Sequence, residues 1–144
     1  MVVFGIIVAL AVLLGAIYVA IANWPKWAGL DPGVWRSCRY LGSVDADGRT
    51  TDRGWLVRGS GAIAIMENGI RFRRAFCGFE MVIPAASICS VELDAGTRGP
   101  SRSVLMISWE RDGRAVVSRF WVSSSAEVTE EFKNRIGKLI GQSQ

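Results

Sequence analysis

The chain has 144 residues, half of them hydrophobic, and 17 Lys and Arg against 13 Asp and Glu give a net charge of +4. It contains no histidine, and its three cysteines, Cys38, Cys77 and Cys89, are widely spaced. The commonest acid-base residue and metal ligand is therefore missing, and no zinc-site or disulfide spacing is present. The excess of cations is small and scattered among acids, so no nucleic-acid groove is expected.

Residues 1–22 carry no charged side chain. In helical geometry residues 2–22 measure about 30 Å, the thickness of a bilayer's hydrocarbon core, which predicts a transmembrane helix over residues 1–23. A cleavable secretory signal is the alternative, because Ala20-Ile21-Ala22 offers a small-x-small site. Such signals begin with a basic region and have a shorter apolar stretch of about 7–15 residues, so the anchor is preferred. Tyr18, Trp24, Lys26 and Trp27 fall where a helix would leave hydrocarbon for headgroups and are expected as membrane-interface residues. Pro25 discourages further helix. With Gly29, Pro32 and Gly33 it marks residues 24–33 as a juxtamembrane linker. Lys26, Arg36 and Arg39 all follow the span and no cation precedes it, which predicts a single pass through the cell membrane with the C-terminal domain in the cytoplasm. Small residues at Ala11 and Gly15, and at Ala16 and Ala20, would permit association of spans into a homo-oligomer.

Residues 34–144 are enough for one domain and too few for two. Short apolar runs separated by Gly, Asp, Asn and Ser predict small antiparallel strands. Trp35, Cys38, Tyr40 and Leu41 are assigned to a first strand, and residues 55–57 to another. Asp45, Asp47 and Asp52 lack the further acid and distal Glu of a calcium loop, and predict a turn. The next run, Ala62-Ile63-Ala64-Ile65-Met66-Glu67-Asn68-Gly69-Ile70-Arg71-Phe72-Arg73, predicts a hairpin turning at Asn68-Gly69, with Ile70 and Phe72 inward and Arg71 and Arg73 outward. Strands over 81–83 and 88–93 follow, then a loop over 94–101. A second hairpin pairs 104–109 with 115–122 across Glu110-Arg111-Asp112-Gly113-Arg114, with Val116, Phe120 and Val122 on one face. The period then changes. Val128, Phe132, Ile136, Leu139 and Ile140 recur at helical spacing and predict an amphipathic helix over 124–141, with Ser124 and Glu127 forming a capping box.

The stretch Met66-Glu67-Asn68-Gly69-Ile70-Arg71-Phe72-Arg73-Arg74, the step Ile83, Pro84, Ile88 and Val91, a hairpin and a closing helix together resemble the pleckstrin-homology superfold in its bacterial form, over residues 59–140. The resemblance implies a mainly β chain: a bent β-sandwich or barrel capped by a C-terminal α-helix, here preceded by one transmembrane helix. It also implies a binding or scaffolding role.

The expected function is a non-catalytic, membrane-tethered module without cofactor or metal, contacting lipids through its N-terminal helix and a membrane-protein partner through its domain. The alternative is recognition of anionic lipid headgroups. Arg71, Arg73 and Arg74, joined by Arg98 and Arg102, are its candidate contacts, because guanidinium forks pair well with phosphate. Against it, Arg71 and Arg73 are also what the solvent face of a strand would show.

Overall fold

A computed structural model describes residues 2–27, 31, 34–52, 57–94, 103–122 and 125–142, with the side chains of Val2 and of 22–27 left outside. The described residues form a helix α1 (Val2–Trp27), seven strands and a closing helix α2 (Ala126–Gln142). The strands are β1 (Trp35–Asp45), β2 (Gly59–Met66), β3 (Gly69–Arg74), β4 (Glu80–Pro84), β5 (Ile88–Asp94), β6 (Val104–Arg111) and β7 (Arg114–Trp121). This is the mainly β architecture expected, with an apolar helix at one end and a capping helix at the other.

Within α1, Val3–Ile21 is long and apolar enough to cross a membrane, and its side chains are exposed, Phe4 at 74% and Leu14 at 65%. The helix continues through Pro25 to Trp27, past the predicted boundary at residue 23. A proline so near a helix end removes one backbone bond and leaves the preceding turns intact. The predicted linker therefore loses its first residues to the helix. Tyr18 is 75% exposed on α1, whereas the side chains of Trp24, Lys26 and Trp27 lie outside the described residues.

The strands form one antiparallel sheet in the order β4-β3-β2-β1-β7-β6-β5. Strand β1 holds its two halves together. Residues 35–40 pair with β2 and residues 39–45 with β7, and a bulge separates Tyr40 from Gly42. A bulge bends the strand and strengthens its twist, so the two wings fold toward one core. The β6–β7 hairpin turns on Asp112 and Gly113, both with positive φ, as the two-residue turn requires. In the β2–β3 hairpin Met66 pairs with Gly69, so the turn residues are Glu67 and Asn68 rather than Asn68 and Gly69. The glycine is used inside β3 instead, where the backbone of β4 approaches too closely for a side chain.

The inward face of each strand supplies the core. Tyr40, Phe72 and Phe120 meet at its centre with ring centroids 5.1–5.6 Å apart, all at most 1% exposed. Ile63, Ile70, Ile83, Leu105, Ile107 and Trp109 surround them. Helix α2 covers β5 and buries Phe132, Ile136 and Leu139. Each such side chain contributes about 1.5–3 kcal/mol when fully buried. Thr129 takes the inward position expected of Val128, which is exposed. Its hydroxyl stays satisfied by donating to the Ser125 carbonyl at 3.0 Å. That carbonyl also accepts the Thr129 amide, so the helix starts one residue later than the expected cap at Ser124, which lies outside the described residues.

Candidate functional site

Strand parity separates the arginines that sequence grouped together. Arg71 and Arg73 project from the outer face of β3, and Arg71 lies 3.8 Å from Glu80 on β4. Arg74 shares the parity of buried Phe72 but stands at the strand's end, where it is half-buried and donates from Nη1 to the Ser60 carbonyl at 2.9 Å. Gly59 makes this possible. With φ at +126°, a Cβ there would lie 2.7 Å from the Arg74 guanidinium. Arg98 and Arg102 lie outside the described residues.

Two further arginines join Arg74. Arg39 is exposed on β1, and Arg58 immediately precedes β2, donating from Nη2 to Thr50 Oγ1 at 2.7 Å and pairing through Nε with Asp52 at 3.4 Å. Arg39, Arg58 and Arg74 line one cleft of about 550 Å³, together with Ser60, Phe76, Cys77 and Ile21 of α1. Three guanidinium groups on three segments of the fold thus face a shared space beside the apolar helix. No local pattern signals this arrangement, because the three residues converge only when β1, β2 and β3 pair.

A second cleft of about 550 Å³ lies between the segment after β1 and the β6–β7 turn, and it is of mixed sign, with Asp45 and Asp112 among Arg49, Arg111 and Arg114. Arg111 is held by Asp112 at 4.0 Å and over the Trp109 ring at 6.0 Å. The first cleft has the more cationic lining, with three arginines and no acid among the described residues.

Behind the first cleft runs a buried polar chain. Asp52, read from sequence as part of a turn, has a side chain only 5% exposed. Its Oδ2 accepts the Ser43 amide at 3.1 Å and its Oδ1 accepts the Tyr40 hydroxyl at 2.7 Å. The remaining proton directions then follow from counting. A carboxylate only accepts and an indole N–H only donates. Tyr40, having donated to Asp52, accepts from Ser43 at 2.5 Å; Ser43 accepts from Ser118 at 2.6 Å; Ser118 accepts from Trp109 Nε1 at 2.9 Å. Each hydroxyl gives one proton and receives one, which satisfies polar groups that would be costly to bury alone. Asp45 and Asp47 behave as the turn reading expects, with Asp45 Oδ1 accepting the amides of Asp47 and Arg49.

Burial raises the Tyr40 pKa, and the neighbouring carboxylate of Asp52 adds to this while the Ser43 hydrogen bond opposes it. Burial likewise pushes up the Cys38 thiol. A tyrosine in the unfolded chain ionises near pH ~10, so above that the unfolded state releases a proton that the folded state keeps. Stability is then fully present below pH ~10 and falls as pH rises further. Denaturant titrations of the detergent-solubilised chain between pH 8 and 12 are expected to show this decline. In Tyr40→Phe the part of the slope beginning near pH ~10 should vanish; an unchanged slope would remove Tyr40 from the explanation. Cys38→Ala isolates the thiol's share, which begins lower. Cys77 and Cys89 are exposed, whereas Cys38 is buried.

No protein-family model matches the chain and no curated protein matches it. Among solved structures, the chain is similar to the inner membrane complex sub-compartment protein 3 of Toxoplasma gondii. The sequences are 16% identical, the TM-score is 0.49, and the match covers 87% of this chain and 86% of that one.

Proposed function

We propose that this chain is a membrane-anchored, non-catalytic binding module of the pleckstrin-homology-like type, in its bacterial form, held by α1 with the β domain against the cytoplasmic surface of the membrane. The convergence of Arg39, Arg58 and Arg74 on one cleft beside Ile21 carries the reading. Ile21 ends the run Val3–Ile21, whose ~28 Å helical length matches a bilayer's hydrocarbon. Guanidinium groups at that level meet lipid phosphates, and the ligand class this favours is an anionic headgroup. It enters through Arg39, Arg58 and Arg74 rather than through Arg71 and Arg73. The tether raises the effective concentration of any membrane-bound partner, so modest contacts suffice for a scaffolding role.

Near an anionic leaflet each cation contributes about 1 kcal/mol, so replacing all three with glutamine is expected to weaken headgroup binding roughly 100-fold. The check is an NMR titration of the full chain in zwitterionic detergent with short-chain phosphatidylserine, reading the amides of Gly59, Ser60 and Ala75. Saturable shifts in the wild type that disappear in Arg39→Gln/Arg58→Gln/Arg74→Gln support the reading. Equal shifts in both proteins, or equal responses to phosphatidylserine and phosphatidylcholine, would overturn it. Inorganic phosphate run alongside separates a headgroup site from a site for free phosphate.

A further inference from the structure

The loop between β3 and β4 presents an aromatic side chain to the outside. Phe76 is 64% exposed and its φ is +63°, a left-handed conformation in which a bulky residue is a backbone outlier. Its neighbours hold it there. Ala75 is 4% exposed and its amide donates to the Ser60 carbonyl at 3.0 Å, while the Arg74 amide donates to the Phe79 carbonyl at 2.8 Å and closes the loop. Phe79 packs on the core, its ring centroid 6.4 Å from that of Phe72. The residues on either side are thus pinned to the domain, and Phe76 is projected from between them. Strain of this kind persists where the surroundings over-determine it, and such sites cluster at ligand contacts.

The surroundings identify the contact. Phe76 and Ile21 line the same cleft, and Ile21 is the last residue of the run Val3–Ile21. If that run fills the hydrocarbon, Ile21 sits at its edge and Phe76 lies beside it, at the depth where an apolar ring finds acyl chains. Arg39, Arg58 and Arg74 line the same cleft, so an apolar tip with cations beside it suits a surface with apolar interior and anionic rim.

We infer that the loop between β3 and β4 is a second membrane contact, with Phe76 inserted at the hydrocarbon boundary of the same bilayer that α1 crosses. This rests on the reading of α1 as a membrane span. Two attachments, a helix and a loop tip, fix the tilt of the domain where the helix alone would leave it free to swing.

Spin-label depth measurements on the full chain in anionic lipid nanodiscs test this. Cys77, next to Phe76, carries the label in a Cys89→Ser background. Cys89 on β5, labelled in a Cys77→Ser background, is the aqueous reference, and Ala11→Cys, with Cys77 and Cys89 both replaced by serine, is the hydrocarbon reference. The ratio of oxygen to nickel-chelate accessibility at Cys77 is expected between the two references, dropping to the Cys89 value when Phe76→Ser is added. A Cys77 ratio equal to that of Cys89, or one that Phe76→Ser leaves unchanged, overturns the insertion while the span stands. Exclusion of both reagents overturns it too, by showing a protein partner or second copy over the loop. An aqueous ratio at Ala11→Cys overturns the span, and the inference with it.

Discussion

Replacing Phe120 with alanine is expected to lower the unfolding free energy by about 3–5 kcal/mol. The ring is completely buried and packs against both Tyr40 and Phe72, at 5.1 and 5.6 Å between centroids. It stands on β7, whereas Tyr40 is on β1 and Phe72 on β3, so the three rings connect the two wings of the bent sheet. Truncation leaves a cavity that rigid strands cannot close. Domains of this size are stable by roughly 5–15 kcal/mol, so the loss would remove a large part of the total. Urea unfolding of the solubilised chain, followed by near-ultraviolet circular dichroism, measures it. Phe120→Leu, which retains most of the volume, should recover much of the loss. A cost below about 1 kcal/mol for alanine would mean the rings do not form one packed centre.

Substituting Gly69 with alanine should cost about 3 kcal/mol or more, for a different reason. The position has φ of +147°, a region where a side chain adds about 1–3 kcal/mol of strain. A Cβ there would also lie 2.2 Å from the Ile83 carbonyl oxygen. That oxygen belongs to the backbone of a paired strand and cannot rotate aside, so overpacking adds about 1–3 kcal/mol. Gly48→Ala is the matched control. Its φ is +75° with nothing within 4 Å of the added atom, so only the strain of the conformation applies, about 1–2 kcal/mol. Denaturation midpoints of the two variants decide the matter. Equal shifts would show that β4 gives way to the methyl group, and the close approach would then not explain this glycine.

What could be read in advance was local. Asp112 and Gly113 adopt the positive φ angles of a tight turn because those residue types tolerate them, and the inward set Val116, Phe120 and Val122 follows from alternation alone. The closing helix was legible for the same reason, apart from the exchange of Val128 for Thr129, which depends on where the first turn begins. Long-range pairing was not legible. A bulge at the middle of β1 lets one strand serve both wings, and no short window announces it. Asp52 looks like any turn acid until Tyr40 and Ser43 close over it. The arginine cleft is the extreme case: Arg74 neighbours Arg71 and Arg73 in sequence, yet it shares its cleft with Arg39 and Arg58.

The place where α1 joins the sheet has a mechanical consequence. The first strand after the helix is the central one, with three strands on either side. A pull on α1 would therefore arrive at β1 and be shared at once by its ladders to β2 and β7, which resist by sliding in shear rather than by unzipping one bond at a time. The edge strands β4 and β5 would feel the load last. Attachment through an edge strand would invert this order and let tension peel the sheet open from its rim. Under the proposed anchoring, drag along a moving membrane would be taken up by the most cross-braced part of the fold.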